Sequence, residues 1–200
     1  MKYALITNGA ITGFVSPDVA FTHNGKQYSA RFLRGATPEE KAAAGVLEVV
    51  EGARADERFY WVSQPSFRVN EVDGIVEATY TATPKLLDDR LEVKEDGTPL
   101  YVQVYNAQTE QMEDTTEQVV TKGLKSQWTA QVKQTAGSLL SGTDWTVIRK
   151  TERNVDIPAD VVAYRAGVVA ECTRLETAIA GSADVDALAA VVAAQNWPKA

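Results

Sequence analysis

The spacing of apolar residues changes partway along the chain, from a period of two to a period of three or four. In the first part, short alternating runs lie between turn dipeptides; Ile75–Ala82 places Val76, Ala78 and Tyr80 on one side. Asn-Gly and Asp-Gly turns favour two-residue hairpins, because both turn positions need a positive φ. We therefore predict strands at Lys2–Ile6, Ile11–Val15, Val19–Thr22, Gln27–Phe32, Val46–Val50, Arg58–Ser63, Phe67–Val72 and Ile75–Ala82.

One short helix interrupts these strands. Thr37 can cap its first turn, Pro38 fits the first helical position and Glu40 can complete a capping box. Gly45 should end it. The following residues, 86–106, are broken up by turn and proline signals. There Leu91–Val93 and Leu100–Tyr105 are expected to form a connecting hairpin or linker across Asp96-Gly97.

From about Gln108 the pattern becomes helical. The apolar positions of the first helix are Met112, Val119, Val120, Leu124, Trp128, Val132, Ala136, Leu139 and Leu140. The stripe is regular from Val120 onward, and the helix should end at Ser141-Gly142. A helix of more than about thirty residues is long for a small domain. Two alternatives stay open: a coiled-coil-like or intersubunit role, and an ordinary helical hairpin within one chain.

Three further helices follow. Asp144–Glu152 is short, with Thr143 or Asp144 as its cap. Pro158 opens a long helix, and Ala183–Gln195 forms the last one. The stripe of the long helix is Val161, Tyr164, Val168, Cys172, Leu175 and Ile179. The predicted fold is thus α+β: a β-rich domain of short antiparallel strands at 1–85, a connecting hairpin or linker at 86–106, and a helical domain with a C-terminal helical hairpin at 107–200.

Charge and composition exclude several classes of function. The chain of 200 residues has 20 basic and 27 acidic residues, a net charge of −7, so we expect no nucleic-acid partner. No apolar run reaches the length of a membrane span, which favours a soluble protein made in the cytosol and no membrane partner. One histidine and one cysteine leave little for catalysis. We expect His23 to be an exposed turn residue and Cys172 a small buried one.

No pattern in the sequence points to an enzyme. A Gly-rich phosphate loop and a zinc-ligand spacing are both absent, so we expect no cofactor, no metal and no catalytic residues. Several acidic residues lie in pairs. Glu39-Glu40 and Asp184/Asp186 suit the first turns of helices, and Asp88-Asp89 suits solvated surface.

The segment Leu139–Arg165 is denser in distinctive residues than its surroundings. As structure, it is a corner between helices, in which Trp145 plugs the corner and Pro158 restarts the chain. Arg149 and Arg165 would then pair with acids of the same corner, namely Asp144, Glu152 or Asp160. As function, Trp145 and the two arginines would instead face a partner.

This segment resembles a known family. Leu-Leu-x-x-Thr-Asp-Trp-x-x-x-Arg, then Ile-Pro-x-Asp-Val-x-x-Tyr-Arg and a late Trp-Pro, are similar to the C-terminal part of bacteriophage tail fibre assembly proteins and related tail proteins. The match covers Leu139–Arg165 and Trp197-Pro198. The resemblance implies protein–protein contacts with a tail fibre or baseplate protein, and it brings no catalytic residues.

We therefore expect a structural adaptor or accessory protein of the virion tail, assembled in the host cytoplasm and forming a homo-oligomer. A transient tail-fibre assembly chaperone is one alternative. A carbohydrate-binding tail protein is another, with Tyr60, Trp61 and Phe67 stacking on sugars. The residues expected to contact a partner are Trp128, Trp145, Arg149, Tyr164 and Arg165.

Overall fold

A computed structural model describes residues 2–199 and divides the chain into two compact units, one ending at Thr83 and the other beginning at Pro84. The fold is α+β, with a β-rich N-terminal part and a helical C-terminal part, as predicted. The boundary lies two residues before the predicted end of the first domain at residue 85, and residues 86–106, expected to connect two domains, belong to the second unit.

The first unit is built on a five-stranded sheet with the order β2-β1-β5-β8-β7. Neighbouring strands are antiparallel except β5 and β8, which are parallel. The elements are β1 (Lys2–Thr7), β2 (Ala10–Val15), β3 (Phe21–His23), β4 (Lys26–Tyr28), α1 (Phe32–Gly35), α2 (Pro38–Ala43), β5 (Val46–Glu51), β6 (Tyr60–Val62), β7 (Ser66–Asn70), β8 (Ile75–Thr79) and β9 (Ala82–Pro84). Strands β3 and β4 form one separate hairpin, and β6 pairs with β9.

Apolar side chains are buried on both faces of this sheet. Tyr3 and Val46 pack with Leu33 of α1 in one cluster, whereas Ala4 and Val76 lie in the other. The predicted strand Gln27–Phe32 is wrong at its end. It stops at Tyr28, and the chain turns into α1, which buries Leu33.

Helix α2 begins as the sequence predicts. The Thr37 hydroxyl accepts from the Glu40 amide at 3.2 Å, and the Glu40 carboxylate accepts from the Thr37 amide at 2.8 Å. These two bonds form the predicted capping box, which satisfies amides that have no partner inside the helix.

His23 is buried, so the prediction of an exposed turn histidine is wrong. The hairpin folds back onto β1, and the ring atom Nε2 lies 2.9 Å from the carbonyl oxygen of Ile6. A carbonyl only accepts, so Nε2 carries the hydrogen. Gly45 meets the same carbonyl: a Cβ there would lie 2.7 Å from the Ile6 oxygen. Position 45, two residues after the end of α2, must therefore be glycine, which also suits its φ of 72°.

The described residues of the second unit, 84–199, contain four short strands and four helices. The strands are β10 (Arg90–Leu91), β11 (Tyr101–Asn106), β12 (Gln111–Gln118) and β13 (Val120–Thr121); β10 pairs with β13, and β11 with β12. The helices are α3 (Leu124–Ser141), α4 (Asp144–Arg153), α5 (Ala159–Ala180) and α6 (Val185–Ala193). The prediction of a helix from Gln108 is wrong, because residues 111–118 form a strand against β11.

Helices α3, α5 and α6 cover one another's apolar stripes within one chain. The shared core is formed by Leu124, Val132, Ala136, Val168, Leu175, Ile179, Val185, Leu188 and Val192. Helix α3 has 18 residues, so the length that suggested a coiled coil is absent. Of the two alternatives left open by the sequence, the ordinary intrachain hairpin is the one observed. Burying these stripes stabilises the unit by about 1.5–3 kcal/mol for each large side chain.

Candidate partner-binding surface

The start of α3 is held by the segment before it. The Asp89 carboxylate accepts from the Gly123 amide at 2.8 Å and from the Lys122 ammonium at 2.9 Å. The carbonyls of Leu86 and Leu87 accept the next two helix amides. Bonds from Ser126, Lys122 and Gly123 lower the pKa of Asp89 to about 2. Asp89 is exposed, as expected, and it also caps α3 from a segment that is distant in the sequence.

Arg165 closes the corner between α3 and α4. Its Nη1 donates to the Leu140 carbonyl at 3.0 Å, to the Thr143 hydroxyl at 2.7 Å and to the Asp144 carboxylate at 2.8 Å. The Tyr164 hydroxyl donates to the Leu139 carbonyl at 3.3 Å. The predicted Arg165–Asp144 pair is confirmed. Tyr164 and Arg165 thus use their polar atoms within the chain.

The residue buried at the corner is Thr146, which is 1% exposed, and its hydroxyl donates to the Thr143 carbonyl at 2.6 Å. Trp145 is 57% exposed, so the prediction that it plugs the corner is wrong. The predicted side-chain caps are also absent: Thr143 occupies the N-cap position, but its hydroxyl donates backwards to the Leu140 carbonyl at 2.9 Å. Because Arg165 and Thr146 hold the corner from inside, the tryptophan is left outside.

Ile148 and Arg149 follow Trp145 by three and four residues, about one turn along α4, and Arg149 is half-buried. We call these three residues the α4 surface. Ile148 is 56% exposed, and the Arg149 guanidinium carbon lies 4.8 Å from the centroid of the Trp145 ring. Arg149 forms no ion pair with any described residue, and its buried Nε has no hydrogen-bond partner among them. Tryptophan and arginine are enriched among the residues that contribute most to protein–protein binding.

The fifth predicted contact residue lies elsewhere. Trp128 is half-buried in the apolar stripe of α3. It precedes the end of that helix by thirteen residues, a distance of about 20 Å along the axis. The structure therefore separates Trp128 from the corner, and of the five predicted residues Trp145 is the one that is mostly exposed.

Sequence reasoning missed a second exposed apolar region, on the β11–β12 hairpin. Tyr105 and Met112 face each other across the two strands and are 62% and 56% exposed. Val104 is also exposed. The alternating residues Tyr101–Tyr105 indicate a strand, whereas the polar residues that follow suit the surface of a helix equally well.

The aromatic residues suggested for sugar binding do not line a common groove among the described residues. Trp61 is exposed, whereas Phe67 packs against Phe14 with ring centroids 4.5 Å apart. A groove of about 790 Å³ passes beside Phe67, with Asn70, Glu71 and Glu77 in its wall. Phe67 is its one aromatic side chain.

Cys172 lies half-buried on α5, where its thiol donates to the Glu176 carboxylate at 3.2 Å. Burial and that carboxylate raise the pKa of the thiol, which makes it a poor nucleophile. Within residues 2–199 no group of histidine, cysteine and acidic side chains could hold a metal ion. Over the same range no helix is long and apolar enough to cross a membrane.

Comparisons of the chain with protein-family models, with curated proteins and with solved structures found no match.

Proposed function

We propose that the protein is a structural component of a bacteriophage tail, an adaptor or accessory protein that contacts a tail fibre or baseplate protein. The observation that carries the proposal is the α4 surface: Trp145 and Ile148 are exposed within a segment, Leu139–Arg165, that resembles phage tail proteins. The partner contact is made through side chains that the fold itself does not use.

The physical support is the cost of leaving these groups in water. Burying a large apolar side chain is worth about 1.5–3 kcal/mol, and a tryptophan stacked on an arginine is preorganised for contact. A partner carboxylate that reaches the terminal nitrogens of the half-buried Arg149 guanidinium would form a charge-assisted bond with it. We therefore expect the partner site to combine an apolar pocket with an acidic group.

Mass spectrometry of purified virions of the phage that carries the gene tests the role. A fixed copy number relative to the major capsid protein, in keeping with tail symmetry, is expected for a structural component. Absence from virions, with the protein abundant in the infected lysate, would contradict the proposal and indicate an assembly chaperone.

A variant pair tests the surface. Changing Trp145 and Ile148 to alanine should remove the protein from virions while leaving it folded in the lysate. The matched control changes Val162 and Val169, two exposed valines of α5, to alanine. Equal incorporation of both double variants would show that the α4 surface is not the contact.

A further inference from the structure

Strand β11 has a palindromic sequence and one free edge. Residues 101–105 read Tyr-Val-Gln-Val-Tyr, which is the same in both directions about Gln103. The described residues place β11 in a two-stranded sheet, with β12 on one side and no strand on the other. Alternate residues of such an edge direct their N–H and C=O groups outward, ready to pair with another strand.

We propose that β11 pairs with β11 of a second copy of this chain, antiparallel and centred on Gln103, to form a symmetric dimer. This inference does not depend on the proposed function. In that register Val102 lies opposite Val104 of the second copy, and Tyr101 opposite Tyr105 of the second copy. A two-fold axis makes both pairings occur twice, as a closed dimer requires.

Charge selects β11 rather than β12 as the self-pairing edge. Strand β11 contains no charged residue, whereas β12 contains Glu113, Asp114 and Glu117. Two β12 strands side by side would bring carboxylates together, and like charges directly opposite destabilise a sheet. The neutral edge is thus the one on which a second copy fits.

The side chains of β11 are consistent with this occupant. Val102, Val104 and Tyr105 are exposed, although valine and tyrosine are strand formers that gain from cross-strand neighbours. A two-stranded hairpin alone is marginally stable in water, and pairing two of them makes a four-stranded sheet. Gln103 at the centre donates to the Asp114 carboxylate of its own hairpin at 2.9 Å, which fixes the face it occupies.

A charge-swap pair in the full chain tests both the edge and the register. V102K/V104K places lysine opposite lysine twice, whereas V102K/V104E places lysine opposite glutamate twice. Sedimentation velocity should show the wild type forming a species of twice 21.7 kDa at micromolar concentration. The dissociation constant of the V102K/V104K dimer should be roughly tenfold higher than that of the V102K/V104E dimer.

Both variants change exposed residues, and equal circular dichroism at 222 nm would show that they fold. A wild type that stays monomeric, or two variants that dimerise equally well or equally badly, would overturn the proposal. Disulfide trapping gives a second readout. Gln103→Cys should cross-link with its own copy under mild oxidation, and Met112→Cys on β12 should not; equal cross-linking would also overturn it.

Discussion

The corner at residues 139–165 has an inner and an outer side, and the two sides use different chemistry. On the inner side, Arg165 and Thr146 form directed hydrogen bonds to backbone carbonyls. On the outer side, Trp145 and Ile148 are exposed and Arg149 has no ion-pair partner among the described residues. Residues that are adjacent in one motif therefore differ: some form hydrogen bonds within the fold, and others are exposed.

Only the exposed side chains of the motif are available for contact with a partner. Of the two arginines of the motif, Arg165 forms the hydrogen bonds. It holds α5 to the end of α3, and its side chain is mostly buried. Arg149 is half-buried against the exposed Trp145 ring and forms no ion pair with any described residue. We expect substitutions on the inner side to change stability, and substitutions on the outer side to change binding.

The largest expected loss of stability comes from a substitution at the start of α3, where two backbone segments lie in close contact. A Cβ at Gly123 would lie 2.4 Å from the carbonyl group of Asp88. Gly123→Ala should therefore displace the segment that caps α3 and lower the free energy of unfolding by about 3 kcal/mol. Urea unfolding followed at 222 nm, which reports mainly the helices of the second unit, measures it.

Gly137→Ala in the same helix is the control. No atom lies within 4 Å of a Cβ at Gly137, so alanine should raise stability by about 1 kcal/mol. Similar effects of the two substitutions would show that the contact between Gly123 and Asp88 is unimportant.

A carboxylate on α5 binds the segment that follows α6. The buried Glu171 carboxylate accepts from Arg174 at 2.7 Å and from the Asn196 amide at 2.8 Å. Glu171→Ala should cost about 2 kcal/mol, because it removes the hydrogen bonds that this charged acceptor forms with Arg174 and Asn196. Glu152→Ala on exposed α4 should change stability by less than about 0.5 kcal/mol. Thermal unfolding of both variants compares them, and equal midpoints would contradict this role.

The two arginines of the motif test the comparison directly. Arg165→Ala should lower stability by about 2 kcal/mol, because the Leu140 carbonyl loses a charged donor. Arg149→Ala should cost only about 0.5–1 kcal/mol, the value of a cation stacked on an exposed ring. Chemical unfolding measures both. A larger loss from Arg149 would reverse the assignment of inner and outer sides.

The smallest expected effect on stability appears only at acidic pH. Because the pKa of folded Asp89 is about 2, against an ordinary value of 3.8, unfolding takes up a proton between these values. The stability that this carboxylate contributes is present above pH 3.8 and is lost as pH falls toward 2. Asp89→Asn should flatten this part of the stability–pH curve, as acid titration at fixed urea would show. An unchanged slope would contradict the cap.

Local signals predicted much of the fold, and pairing between distant segments explains the failures. The box of Thr37 and Glu40 and the stripes of α3 and α5 depend on spacings within a few residues. Strand β12 is mostly polar and suits the surface of a helix equally well. Its cross-strand partner, β11, decides its structure, and a local period does not report that pairing.

The site was predictable in part for the same reason. The pairing of Arg165 with Asp144 follows from opposite charges near one corner. Which side of α4 faces outward depends on the inner contacts of Thr146 and Arg165, which the sequence does not reveal. Burial of His23 likewise depends on the Ile6 carbonyl of another strand.

Hydroxyl-radical footprinting of the isolated chain and of purified virions tests the central claim most directly, with Trp145 as the reporter of the α4 surface. Trp145 is 57% exposed in the isolated chain and should be oxidised readily. We predict a severalfold fall in its oxidation in the virion, with Val162 and Val169 of α5 as reference positions. Oxidation of Trp145 that is unchanged in the virion would contradict the assignment of the α4 surface to a tail partner.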